Sequence, residues 1–267
     1  MNTIVTDFPP LTAYELCDSS GIKEIEFQEV AIRLLLRLYP DTIVFPFHPN
    51  VRFEDAVWQP DLALVDRQLS YWFIIEVEIS THHLEKHVLP QVTAFSEGVY
   101  GDDAAKQLSN GLNISHNEAR TLLSMIPRDV VVVSNRIDEK WTRKLASVGV
   151  QIMAITTYRN ITTGQAVHNI EGELIPSQCS LGFGRVRAAD SAVVTQAGAF
   201  WKEGEFQISG PEGIARWECS VINGIAWLMK TKGLIEFHDG AIVQFLRKND
   251  GSIVVRLPYP EAFEVDI

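Results

Sequence analysis

The chain has 267 residues, 46% hydrophobic and 21% charged, the balance of a globular protein long enough to bury a full core in one large or two modest domains. A formal net charge of −11 argues against a free-standing basic nucleic-acid binder, so contact with phosphates would need bound cations, a local patch or a partner protein. No apolar run is long enough to span a bilayer, no secretory leader is evident, and three scattered cysteines (Cys17, Cys179, Cys219) suit the reducing cytoplasm better than a disulfide framework.

Residues 1–20, with Pro9-Pro10 and few periodic apolar positions, read as an irregular lead-in. From 22 to 39, Ile25, Val30, Ala31, Leu34, Leu35 and Leu38 fall mostly at helical spacing, and Pro40 stops the helix. A strand is predicted over 42–47, then a turn at His48-Pro49-Asn50, then strands over 57–65 and 71–79. Pro60 lacks a backbone donor, so the second of these strands should begin at, or bulge near, Asp61. Residues 82–99 look helical, and Pro90 should kink or split this helix. Ser115 and Glu118 have capping-box spacing and open a helix that Pro127 closes. Val130–Val133 mark a buried strand, Asp138 caps a helix running to Val148 and Gly149, and a further strand covers 150–156. This β–α–β run implies parallel pairing with a right-handed crossover.

The expected architecture is therefore an α/β domain over residues 1–160, a mixed sheet flanked by helices, followed by a smaller, mostly β domain over 161–267. In the second part, the turn dipeptides Asn223-Gly224, Asp239-Gly240 and Asp250-Gly251 separate short strand-like segments, and 233–257 reads as two successive hairpins. A partly open barrel fits this texture; a winged helix, with its helix within 213–222, is the alternative.

The residues that carry chemistry are Asp61, Glu76 and Glu78. The run Tyr71-Trp72-Phe73-Ile74-Ile75-Glu76-Val77-Glu78-Ile79 is an oily strand ending in two carboxylates. Alternation puts Glu76 and Glu78 on one face, roughly 6.6 Å apart along the backbone. Buried carboxylates are costly without a compensating positive charge, and a divalent metal supplies it economically. Hard oxygen ligands suit Mg²⁺ or Mn²⁺.

Helix, strand, Pro60-Asp61, Glu76-Val77-Glu78, then a helix bearing Gln91, is an order that resembles the PD-(D/E)xK nuclease superfamily over about residues 22–156. Gln91 followed by Phe95 is similar to the Gln-x-x-x-Tyr helix of RecB-type nucleases, and Glu26-Phe27-Gln28 with Val150-Gln151-Ile152 resembles Shedu-type defence nucleases. The resemblance implies a restriction-endonuclease-like fold and metal-dependent hydrolysis of DNA in restriction or phage defence. It implies Mg²⁺ held by Asp61, Glu76 and a helix glutamate, Glu26 or the alternative Glu29. The third motif usually ends in Lys, where this chain has Glu78; Glu78 would act as proton acceptor, and Lys86 would place an ammonium nearby. Gln91 and His87 would contact substrate. The acidic surface implies a homo-oligomer or a basic protein partner that helps position DNA, with no membrane association.

Other clusters admit plainer readings. His83 and His87 have the i, i+4 spacing of a helical zinc pair, but Glu85 stands at the wrong offset for His-Glu-x-x-His and no third ligand is apparent, so zinc is disfavoured. Arg136, Lys140, Arg143 and Lys144 around Trp141 read as a solvated helix face with Trp141 in the core. The rival to an enzyme is a degenerate nuclease scaffold that serves as a docking subunit, favoured by Glu78 in place of Lys.

Overall fold

The computed structural model describes residues 3–5, 13–17 and 23–258, apart from 137, 212, 234 and 236. It divides into two compact units. The first takes in the described residues up to Arg67, Trp72–Ala119 and Arg128–Ile175; the second takes in Gln68–Tyr71, Arg120–Pro127 and the described residues from Pro176 onward.

In chain order the elements are β1 (Thr3–Val5), β2 (Ala13–Leu16), α1 (Glu24–Leu38), β3 (Thr42–Pro46), β4 (Val51–Phe53), β5 (Ala56–Trp58), β6 (Leu62–Asp66) and β7 (Trp72–Glu78). A π-helical turn (Leu84–Val88) leads into α2 (Leu89–Glu97). Then come β8 (Val99–Tyr100), α3 (Asp102–Leu112), α4 (His116–Met125), β9 (Arg128–Ser134), α5 (Glu139–Ala146), β10 (Gln151–Asn160) and β11 (Ala166–Glu171).

The first unit is mixed α/β. Its main sheet runs β1-β2-β10-β9-β7-β6-β3, with β11 also paired to β10. Apolar residues fill β6 and β7 because both strands are covered on both faces: every residue of each is buried. β7 lies between β6, antiparallel with Val65 opposite Trp72, and β9, parallel with Glu78 opposite Ser134. The predicted β–α–β crossover is present: β9 and β10 pair in parallel, and Asp138 caps α5 by accepting from the backbone N–H of Lys140 and Trp141. The capping box is also formed, with Ser115 N donating to Glu118 Oε2 at 2.9 Å and Glu118 N donating to Ser115 Oγ at 3.2 Å.

Of four expectations, two hold and two need correction. Residues 3–5 and 13–16 are paired strands rather than irregular lead-in, while Pro9-Pro10 lies outside the described residues. As Pro60 implies, the strand expected over 57–65 is broken into β5 and β6 at Gln59-Pro60-Asp61. Pro90 sits in the first turn of α2, where a missing N–H is tolerated, and the expected split falls just before it, where the π turn gives way to α2. Finally β11, beyond the expected boundary at 160, pairs with β10 along Ala154–Arg159, so the first sheet extends past that point.

Close packing at the end of α2 yields a direct test. A Cβ at Gly98 would stand 2.3 Å from Ala94 O and 2.6 Å from Val51 Cγ1. Backbone cannot yield there as a side-chain tip could, so Gly98→Ala should cost about 2–3 kcal/mol. A urea midpoint unchanged from wild type would contradict this packing.

The second unit contains a closed barrel. Its strands are β12 (Gln178–Arg187), β13 (Ala192–Gln196), β14 (Gly204–Gly210), β15 (Gly213–Ile222), β16 (Ile225–Lys230), β17 (Ile242–Lys248) and β18 (Ile253–Arg256), joined in the order β12-β13-β16-β15-β14-β18-β17. Trp201, Trp217, Val243 and Phe245 are among the side chains that fill it. The winged-helix alternative falls because 213–222 is strand, and the barrel is closed rather than partly open. Asn223-Gly224 makes the β15–β16 turn with both residues at positive φ, as a two-residue hairpin requires. Of the two hairpins expected over 233–257, β17–β18 is present; the other falls on a segment where 234 and 236 lie outside the described residues. No helix among the described residues is long and apolar enough to cross a membrane.

Candidate metal centre

Pro60 makes the site possible by interrupting the sheet. The β6–β7 ladder ends with Leu62 opposite Ile75. Continued two residues further, it would set Val77 opposite Pro60, in the middle of the interruption between β5 and β6. Asp61 takes over: its Oδ2 accepts from Val77 N at 2.8 Å, while its backbone carbonyl accepts from Phe47 N at 2.9 Å. His48 Nδ1 lies 2.8 Å from Pro60 O and steadies the same turn. The Asp61 side chain is thereby pinned beside the carboxyl end of β7, next to Glu76 across the strand gap.

Glu76 is 4% exposed and Glu78 1%. Gln91, from α2, donates Nε2 to Glu76 Oε1 at 2.6 Å. Glu76 Oε2, Glu78 Oε1 and Gln91 Oε1 are all buried without a hydrogen-bond partner. After β7 the chain is latched by Asn135, whose Oδ1 accepts from Ser80 N at 2.9 Å and whose N–H donates to Glu78 O at 3.3 Å.

These side chains open onto a cleft of about 570 Å³ whose walls include Asp61, Glu76, Gln91, Lys86 and His87. The structure thus brings together most of the residues singled out in the sequence. Glu78 is not among the lining residues but lies beside them against His82 and His87, and the helix acid differs from the one expected. Glu26 and Glu29 are exposed and line no part of the cleft; the α1 carboxylate that does is Glu24. The reason is helical phase. α1 buries Phe27, Ala31 and Leu35, and Glu24 extends that stripe one turn toward the N-terminus. Glu26 stands about 200° around the helix from Glu24. The stripe itself was legible and would have selected Glu24.

Electrostatics match this crowding. Burial pushes Asp61 up to about 6, with Glu24 adding to the rise and the Val77 N–H and His48 opposing it. Glu76 is held well above the usual carboxylate range by burial and then by Asp61, Glu78 and Glu24. Glu78 is pushed up to about 8 by burial, against which His87 acts, with Glu24 and Asp61 reinforcing the rise. Asp61, Glu76 and Glu24 line one cleft with Glu78 buried close by, and too little positive charge balances these four carboxylates, an arrangement that attracts a cation.

The histidines are rearranged relative to the sequence reading. His83 lines the cleft, but the partner of His87 is His82: their rings meet edge to face with centroids 4.8 Å apart. His82 Nδ1 contacts Glu78 Oε2 at 2.5 Å, and His87 Nε2 lies 3.5 Å from Glu78 Oε1. On α5, Trp141 is buried as the plain reading expects, and Lys140 is engaged with Glu85 at 2.6 Å. Compared with family models, curated proteins and solved structures, the chain matches none.

Proposed function

We propose that the first unit is a restriction-endonuclease-like domain and that the chain is a metal-dependent phosphodiesterase acting on DNA, of restriction or phage-defence type. The observation that carries this reading is Glu76 Oε2, buried without a partner beside Asp61 and Glu24 at the wall of an open cleft. An apolar core has no use for such an oxygen, whereas a hard divalent ion does.

Asp61, Glu76 and Glu24 would supply an all-oxygen ligand set of the kind Mg²⁺ or Mn²⁺ prefers; the ion, when bound, would neutralise phosphate charge and make water more acidic. Asp61 and Glu76 are held before any ion arrives, Asp61 by Val77 N–H and Glu76 by Gln91. Gln91 is therefore a positioning residue in this scheme, rather than the substrate contact expected from the sequence. Lys86 and His87, exposed on the cleft wall, are placed to meet a phosphate.

The test is digestion of supercoiled, linear and single-stranded DNA with Mg²⁺ or Mn²⁺, comparing wild type with Asp61→Asn. Cleavage that requires the metal and falls at least about 1000-fold in the variant supports the reading. Folded wild-type protein that leaves every substrate intact in both metals overturns it and favours the docking-subunit rival.

A further inference from the structure

The turn after β7 gathers donors that the Asp61–Glu76 pair does not use. Glu78 ends the strand with its side chain 2% exposed and Oε1 without a hydrogen-bond partner. That oxygen faces His87 Nε2 at 3.5 Å, and the other carboxylate oxygen contacts His82. One donor atom from each of Glu78, His82 and His87 lies within 4.8 Å of the other two. Ligands bonded to one zinc at roughly 2.0–2.2 Å stand only about 3.3–3.6 Å apart, so a small rotation of exposed imidazoles closes the set.

The backbone is built toward this meeting. Residues Leu84–Val88 form an i→i+5 turn, with Leu89 N–H bonded to Leu84 O. Such turns are rare and recur at functional sites. His83 is extended and precedes that turn, and it is the ring of His82, five residues before His87, that meets the His87 ring. His82 and His87 retain 29% and 49% side-chain exposure, so the set keeps an open side.

We propose that Glu78, His82 and His87 form a second metal site for a borderline transition ion, with Zn²⁺ as the ion that fits best, distinct from the all-oxygen site of Asp61 and Glu76. Imidazole nitrogen favours Zn²⁺ over Mg²⁺, and two histidines with one carboxylate leave a fourth position free for water or substrate. Glu78 then serves as a ligand instead of the proton acceptor expected from the sequence, and His87 as a ligand instead of a phosphate contact, which leaves that role to Lys86. Zinc binding here stands or falls apart from DNA cleavage, because metal content is read without substrate.

The full-length protein is stripped with chelator, exposed to Zn²⁺, dialysed and assayed for bound metal, with Co²⁺ as an optical probe of coordination. Wild type should retain one equivalent and show the visible bands of low-coordinate cobalt. His82→Ala and His87→Ala should each bind at least about 100-fold more weakly, beyond the 10–100-fold that loss of an outer partner costs. His83→Ala and Asp61→Asn should bind like wild type, and circular dichroism confirms that each variant is folded. Zinc that dialyses away from wild type, or that both histidine variants retain, overturns the proposal. So does zinc lost on Asp61→Asn but kept by His87→Ala, which assigns the ion to the carboxylate pair.

Discussion

Glu76→Gln is expected to make the metal-free protein more stable and, at the same time, to abolish its response to Mg²⁺. Glu76 has one oxygen bound by Gln91 and one with no hydrogen-bond partner, and three neighbouring carboxylates raise its pKa further. An amide of the same shape removes the charge, keeps an acceptor for Gln91 and adds a donor toward those carboxylates. Relief of an uncompensated buried charge is worth about 1–3 kcal/mol, or a melting temperature roughly 3–8 °C higher for a protein of this size. Wild type should gain stability as Mg²⁺ is added, by about 2.7 kcal/mol at a hundred times the dissociation constant, whereas the variant should gain almost none. Thermal melts with and without Mg²⁺ check both signs. A metal-free variant that melts below wild type would mean that the protein itself compensates this carboxylate, and the case for a resident ion would collapse.

The parts of this site that were legible in the sequence are those governed by short-range rules. Alternation along 71–79 put Glu76 and Glu78 on one face; Glu76 lines the cleft, and Glu78 meets His87, which stands on its wall. Pro60 announced the interruption that frees Asp61, because a residue without an N–H cannot continue a central ladder. Ser115 with Glu118, and Asp138 before α5, are caps whose geometry is local and which formed as read.

What escaped the sequence depends on phase and on distant partners. Glu24, Glu26 and Glu29 are the same residue type within two turns, and only the buried stripe of Phe27, Ala31 and Leu35 decides which one faces inward. His83 is extended and lies before the π turn, so His82 rather than His83 meets His87, a pairing that counting at helical period cannot anticipate. α3 carries Ala104, Leu108 and Leu112 at regular helical spacing behind Asp102 and Asp103, but its apolar stripe is short and Gly111 sits inside it, so its signal is weak beside its neighbours'. Barrel closure rests on the parallel β14–β18 contact and on β12 meeting β17, pairings 45 or more residues apart that no turn dipeptide encodes.

Trp72→Ala is expected to destabilise the first unit by about 3–5 kcal/mol while leaving divalent-metal affinity nearly intact. Trp72 is fully buried at the start of β7, packed edge to face on Phe47 with ring centroids 5.9 Å apart, and Phe47 in turn meets Phe45 at 6.3 Å. Alanine would remove the largest side chain in that cluster and leave a cavity that the ladders on both sides of β7 prevent from collapsing. The melting temperature should fall by roughly 10 °C or more. Glu76 shares the face of Trp72 but lies four residues along the strand, about 13 Å away, and is fixed by Asp61 and Gln91 at the opposite end. Mg²⁺ affinity measured well below the unfolding transition should therefore stay within about threefold of wild type. Intact stability would deny that this aromatic cluster holds the sheet together. Metal affinity lost along with stability would instead mean that the carboxylates are aligned by the core as a whole, and not by the broken ladder at Pro60 and the hydrogen bonds that replace it.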